Sequence, residues 1–74
     1  MADQVNIIAP MPCSIVEISV GIGDPVEIGA QVMVIESMKM EVPILSEVSG
    51  NVSEVLVAPG DAVEAEAVLM RLKA

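Results

Sequence analysis

Apolar and polar residues alternate in short runs along this chain. Val16, Ile18 and Val20 are spaced by Glu17 and Ser19, and Val55 and Val57 lie in a similar run with Glu54. A period of two sends successive side chains to opposite faces of a strand, so each run reads as one inward face and one wet face. Gly, Pro and Asp bound the runs: Cys13 to Val20, a Gly23-Asp24-Pro25 turn, a brief strand at Val26, then Val32 to Ile35. Pro43 and Pro59 would break central helices. The pattern predicts an all-β domain.

The pattern also occurs twice. An offset of 37 residues lays 8–36 over 45–73 and matches Glu17 with Glu54, Val20 with Val57, Gly23 with Gly60, Asp24 with Asp61, Val26 with Val63, Glu27 with Glu64, Ala30 with Ala67 and Met33 with Met70. Conservative pairs such as Ile15 with Val52, Ile18 with Val55 and Ile35 with Leu72 fill the gaps. A solenoid generally needs three or more units, so two copies imply half-domains that close one core about a pseudo-twofold axis. The second copy also settles an ambiguous run. Val32-Met33-Val34-Ile35 is wholly apolar, but its partner Leu69-Met70-Arg71-Leu72 must turn Arg71 to water, which places Val34 outside and Met33, Ile35, Met70 and Leu72 inside.

Composition narrows the chemistry. The 74 residues support a single domain, 1–74, whose core is aliphatic because Phe, Tyr and Trp are absent. A net charge of −8 repels phosphate backbones and anionic lipid faces, so neither nucleic acid nor direct membrane contact is expected. No apolar stretch approaches the roughly 20 residues of a membrane span and no signal-peptide pattern opens the chain, so the expectation is a cytoplasmic protein, monomeric in isolation. Met1 and the lack of a linker favour a stand-alone subunit over an excised domain. With no histidine and one cysteine, Cys13, there is no disulfide, no zinc site and no Cys-His nucleophile. The carboxylates are spread singly and read as solvated surface, so no catalytic residue is expected. Gly21 and Gly23 lack the third glycine and following helix of a phosphate loop.

Between the copies lies Glu36-Ser37-Met38-Lys39-Met40-Glu41. It joins the strand ending near Ile35 to one starting near Val42 and must turn tightly, yet it has none of the Gly, Asn or Asp that tight hairpins recruit for positive φ. It carries a lysine between two methionines instead. Lys39 reads either as a solubilising surface residue or as a functional one. The second reading is favoured because the chain uses lysine at only one other place, Lys73, and because rule-breaking segments gather at functional sites. Met33 and Met70 suit core gap-filling; Met38 and Met40, at a hairpin tip, do not.

These residues resemble the biotinyl and lipoyl carrier family, in particular its biotin carboxyl carrier branch. The branch's Met-Lys-Met core is Met38-Lys39-Met40 here, preceded by Glu36-Ser37, and the likeness extends to Ala9-Pro10-Met11-Pro12, Gly23-Asp24-Pro25-Val26, Glu41 and Pro59-Gly60-Asp61 with Val63. The resemblance implies a flattened β-barrel of two four-stranded antiparallel sheets with the lysine on a protruding hairpin. It further implies covalent biotin on Lys39, attached by a biotin protein ligase that recognises Met38 and Met40, with Glu36, Ser37 and Glu41 completing the hairpin. The carrier would then move a carboxyl group, held on the ureido nitrogen of biotin, from a biotin carboxylase to a carboxyltransferase. Two departures stand out. Cys13 occupies the place of the family's usual glycine, and of Gly50 in the second copy, and reads as a small residue buried at a turn, with a redox role as the other reading. The equal spacing of the copies leaves no room for the thumb-like insertion found in one branch.

Two other readings stay open. A lipoyl carrier for acyl or aminomethyl transfer shares the fold, although Asp is typical there before the lysine and Ala often follows it; a domain accepting both biotin and lipoate is a variant of this reading. A purely structural or inhibitory module would carry no cofactor.

Overall fold

The computed structural model describes residues 4–74, so Met1 lies outside the described residues. Eight strands follow one another: β1 Gln4–Ile8, β2 Cys13–Ile18, β3 Pro25–Val26, β4 Gln31–Ser37, β5 Met40–Leu45, β6 Gly50–Val55, β7 Ala62–Val63 and β8 Val68–Lys73. They form two antiparallel four-stranded sheets, ordered β1-β8-β6-β3 and β5-β4-β2-β7. A shift of 37 residues carries β1, β8, β6 and β3 onto β5, β4, β2 and β7, so the duplication exchanges the sheets. Each sheet takes two strands from each half. Neither half owns a sheet.

The connections obey the same symmetry. Ile15 N–H donates to the Asp61 carbonyl at 2.8 Å, and its counterpart Val52 N–H donates to the Asp24 carbonyl at 3.0 Å. Asp24 accepts from the Gly21 N–H at 2.8 Å and Asp61 accepts from the Ala58 N–H at 2.9 Å, closing matched turns that need positive φ at Gly23 (91°) and Gly60 (95°). The segments 19–24 and 56–61 are equal in length, so the first half holds no insertion relative to the second.

The core is aliphatic, as the composition requires. Met33, Ile35, Leu69, Met70 and Leu72 are fully buried, with Ile7, Ile15, Val26 and Val52 beside them. Methionine sits centrally because its unbranched thioether fills the gaps that aromatic rings fill elsewhere. Four β-bulges refine the simple alternation. Pairing slips between Ile15 and Glu17 and, in the second copy, between Val52 and Glu54, leaving Val16 and Ser53 as the extra residues. It slips again at Val32 and Leu69. A bulge resets the face on which the following side chains fall. Val16, expected to point inward, is therefore 38% exposed, while Ile15 before the bulge and Ile18 after it face the core. Val32 and Leu69 are buried beside Met33 and Met70, although strict alternation would send them out. Arg71 does reach the outer face, where it pairs with Glu54 at 3.1 Å, and Val34 stays half-buried opposite Pro43.

Cys13 is buried, but as the first residue of β2 rather than within a turn. Its counterpart Gly50 could not carry a side chain in the present backbone, since an added Cβ would run into the Lys73 carbonyl. The barrel is thus tighter at that corner of one sheet than of the other.

Leu72→Ala should cost about 2–5 kcal/mol in urea denaturation, whereas Val16→Ser, which copies the Ser53 side chain onto the symmetry-related bulge, should stay within about 0.5 kcal/mol. Glu66 occupies with φ of 69° the turn position that Gly29 fills at 87° in the first copy. A left-handed conformation costs a non-glycine residue roughly 1–2 kcal/mol, so Glu66→Gly should raise the midpoint of unfolding; a lower midpoint would contradict that strain.

Candidate functional site: a strained hairpin tip

The strands β4 and β5 pair from Gln31↔Leu45 up to Ser37↔Met40, which leaves Met38 and Lys39 as the whole loop. Their φ values are +54° and +64°. Positive φ at both central residues defines the mirror-image two-residue turn whose twist matches the flanking strands. Such turns favour Asn-Gly because those residues enter the left-handed region cheaply. Here a methionine and a lysine are held there by the pairing below them. The expected conflict between turn chemistry and residue type is real, and its origin is backbone strain.

The strain has a consequence for presentation. Met38 is 90% exposed and Met40 67%, and Lys39 is exposed with no ion pair among the described residues. The lysine amine stands clear at the tip. Below it, Glu36 and Glu41 lie directly opposite one another on β4 and β5, both exposed. Like charges on facing strands oppose pairing, so these carboxylates weaken the hairpin base while surrounding it with negative potential. Ser37 does different work: it is half-buried, and its hydroxyl donates to the Pro12 carbonyl at 3.2 Å, tying the hairpin to the loop between β1 and β2.

All six residues singled out from the sequence, Glu36 to Glu41, thus share one hairpin. The Pro12 contact was not legible there, because 25 residues separate it from Ser37 and nothing in the spacing couples them. In the other sheet the strands equivalent to β4 and β5 are β8 and β1, which no turn joins, so the tip occurs once. Burial pushes the Cys13 thiol up, which disfavours the reactive thiolate. Among the described residues no group of three or more His, Cys, Asp or Glu side chains could hold a metal ion, and no helix is long and apolar enough to cross a membrane.

A family model described as Biotin_lipoyl, biotin-requiring enzyme, matches residues 5–72. The chain belongs to this biotinyl/lipoyl carrier family. It is 42% identical over 65 residues to the "Biotinylated protein TB7.3 homolog" of Mycobacterium leprae, covering 88% of this chain and 89% of that relative. It is 45% identical over 56 residues to a "Biotin/lipoyl attachment protein" of Bacillus subtilis, covering 76% of this chain and 77% of the relative. The fold is similar to part of the Kluyveromyces lactis urea carboxylase, with a TM-score of 0.88 and 30% identity over 95% of this chain but only 6% of that much longer one. A carrier-type β-barrel of this size therefore occurs both in short proteins and inside long carboxylase chains.

The turn strain is open to measurement. Replacing Met38-Lys39 by Asn-Gly should stabilise the domain by about 1–2 kcal/mol in urea denaturation; destabilisation would show that the native pair is at ease in the left-handed region.

Proposed function

We propose that this protein is a biotin carboxyl carrier whose biotin is joined by an amide to the amine of Lys39. The observation that carries this reading is the two-residue tip itself: a single lysine, presented to solvent by a strained turn and flanked by two exposed methionines. A free amine on a flexible four-carbon stem can be acylated and can reach, whereas arginine has no such reactive amine and a stiffer head group. Acylation also removes the tip's positive charge. The names of the relatives from Mycobacterium leprae and Bacillus subtilis support attachment at such a site.

A biotin protein ligase is the partner that acylates Lys39, and Met38 and Met40 are the apolar contacts available to it. A biotin carboxylase and a carboxyltransferase are the partners afterwards. Biotin, once attached, supplies a ureido nitrogen able to hold and release a carboxyl group. The chain contributes no acid or base to that chemistry. Its residues hold the lysine away from the barrel on a rigid pair of strands, and the tether raises the effective concentration of the cargo at each enzyme. Lys39 makes no ion pair among the described residues, which leaves the arm free to enter another protein's cleft. In keeping with the solvated, acidic surface, the cytoplasm is the compartment proposed for this cycle.

The second reading, a lipoyl or dual-cofactor carrier, has one observation in its favour: the relative from Bacillus subtilis is named for both attachments. The two methionines favour biotin, since the lipoyl pattern places Asp before the lysine.

Intact mass after co-expression with a biotin ligase or with a lipoate ligase separates these readings. Wild type should gain the mass of one biotinyl group and Lys39→Arg should gain nothing, while its stability changes by no more than about 0.5 kcal/mol. A lipoyl adduct alone would replace biotin by lipoate, and no adduct from either ligase would leave Lys39 an ordinary surface lysine.

A further inference from the structure

The pseudo-twofold axis supplies an internal control: wherever one half departs from the other without gain to the fold, something else has shaped it. The loops after β1 and β5 are such a pair. After β5, Ser46 is buried and its hydroxyl donates to the Val48 carbonyl at 2.6 Å and accepts from the Val48 N–H at 3.3 Å, and the Val48 side chain packs against the core. The symmetry mate of Val48 is Met11, which is 37% exposed and framed by Pro10 and Pro12. The barrel can evidently tuck an apolar side chain in at this position. At the lysine-bearing end it leaves one out.

Met11 is also placed beside the tip. The Pro12 carbonyl accepts the Ser37 hydroxyl at 3.2 Å, Met11 is one residue before Pro12, and Ser37 is two residues before Lys39. Consecutive Cα atoms are about 3.8 Å apart, so the loop backbone runs within a few such steps of the lysine. Three thioethers, Met11, Met38 and Met40, thus stand at one end of the molecule while Met33 and Met70 are wholly buried. Methionine adapts its shape to a partner and is enriched at interface cores. Two prolines hold the Met11 loop, which lowers the ordering cost of a contact made through it.

We infer that Met11 is part of the surface on which the ligase acylating Lys39 docks, a third apolar anchor contributed by a loop remote in sequence from the modified hairpin. The inference rests on the carrier reading of Lys39. Its partner is an enzyme that offers an apolar seat next to the mouth receiving the tip, with Met11 setting affinity and taking no part in the chemistry.

Steady-state biotinylation of the apo-protein by a biotin protein ligase tests this. Met11→Ser should raise KM about three- to tenfold with kcat within about twofold and an unchanged melting temperature, as expected for an interface anchor. Met11→Leu, similar in volume, should restore the wild-type KM. Ile28→Ser, which removes an apolar side chain that is 70% exposed on the loop between β3 and β4, is the control and should leave KM alone. If Met11→Ser lowers the melting temperature, the nearly isosteric Met11→Gln decides the matter by the same KM criterion. A KM for these polar variants equal to that of Ile28→Ser overturns the inference while leaving the attachment reading intact. Failure of wild type to be biotinylated at all removes both.

Discussion

Everything in this molecule depends on burying the inner faces of two sheets that are each assembled from both halves of the chain. Met33 and Ile35 come from β4, and Leu69, Met70 and Leu72 from β8, yet β4 lies in one sheet and β8 in the other. No half can close its own core, because each supplies only two strands to either sheet and would leave apolar side chains facing water. The domain has no aromatic ring with which to compensate. Cooperation between the halves is therefore a condition of folding, and it explains why turns, bulges and backbone hydrogen bonds recur at symmetry-related places.

That rigidity is what permits the tip. A two-residue loop with positive φ at both methionine and lysine would not persist in an isolated hairpin, where the left-handed penalty and the facing carboxylates of Glu36 and Glu41 both oppose it. Six register pairs between β4 and β5, a central β4 and the Ser37 hydrogen bond to the neighbouring loop hold it in place. The stability generated by the core thus sustains a local geometry that projects Lys39 and bares its methionines. The carrier role proposed above would use that division of labour between a stiff body and a projecting lysine.

The symmetry makes the departures from it informative. Where the halves agree, as at Gly23 and Gly60, the shared turn demands the residue; where they differ, the local backbone of each half sets which residue fits. Glu66 in place of a glycine, Cys13 in place of Gly50, and Met11 in place of Val48 all belong to the second kind. Cys13 is buried and its thiol is pushed up, so it serves as a small apolar side chain. Met11 differs from the buried Cys13 and the charged Glu66 in leaving a large apolar side chain exposed near the lysine-bearing hairpin.

The sequence by itself determined the duplication, the strand periodicity, most of the core and the position of Lys39 between the copies, because each of these is written in local spacing that a period of two or an offset of 37 residues exposes. It could not determine where that spacing is interrupted. The bulges at Val16, Val32, Ser53 and Leu69 arise from how each strand meets its neighbour, so the outward turn of Val16 and the burial of Val32 and Leu69 were decided only when the sheets formed. The left-handed backbone at Met38 and Lys39 and the meeting of Ser37 with Pro12 are likewise tertiary facts. Both depend on contacts between segments far apart in the chain, and such contacts leave no trace in the identity of any one residue.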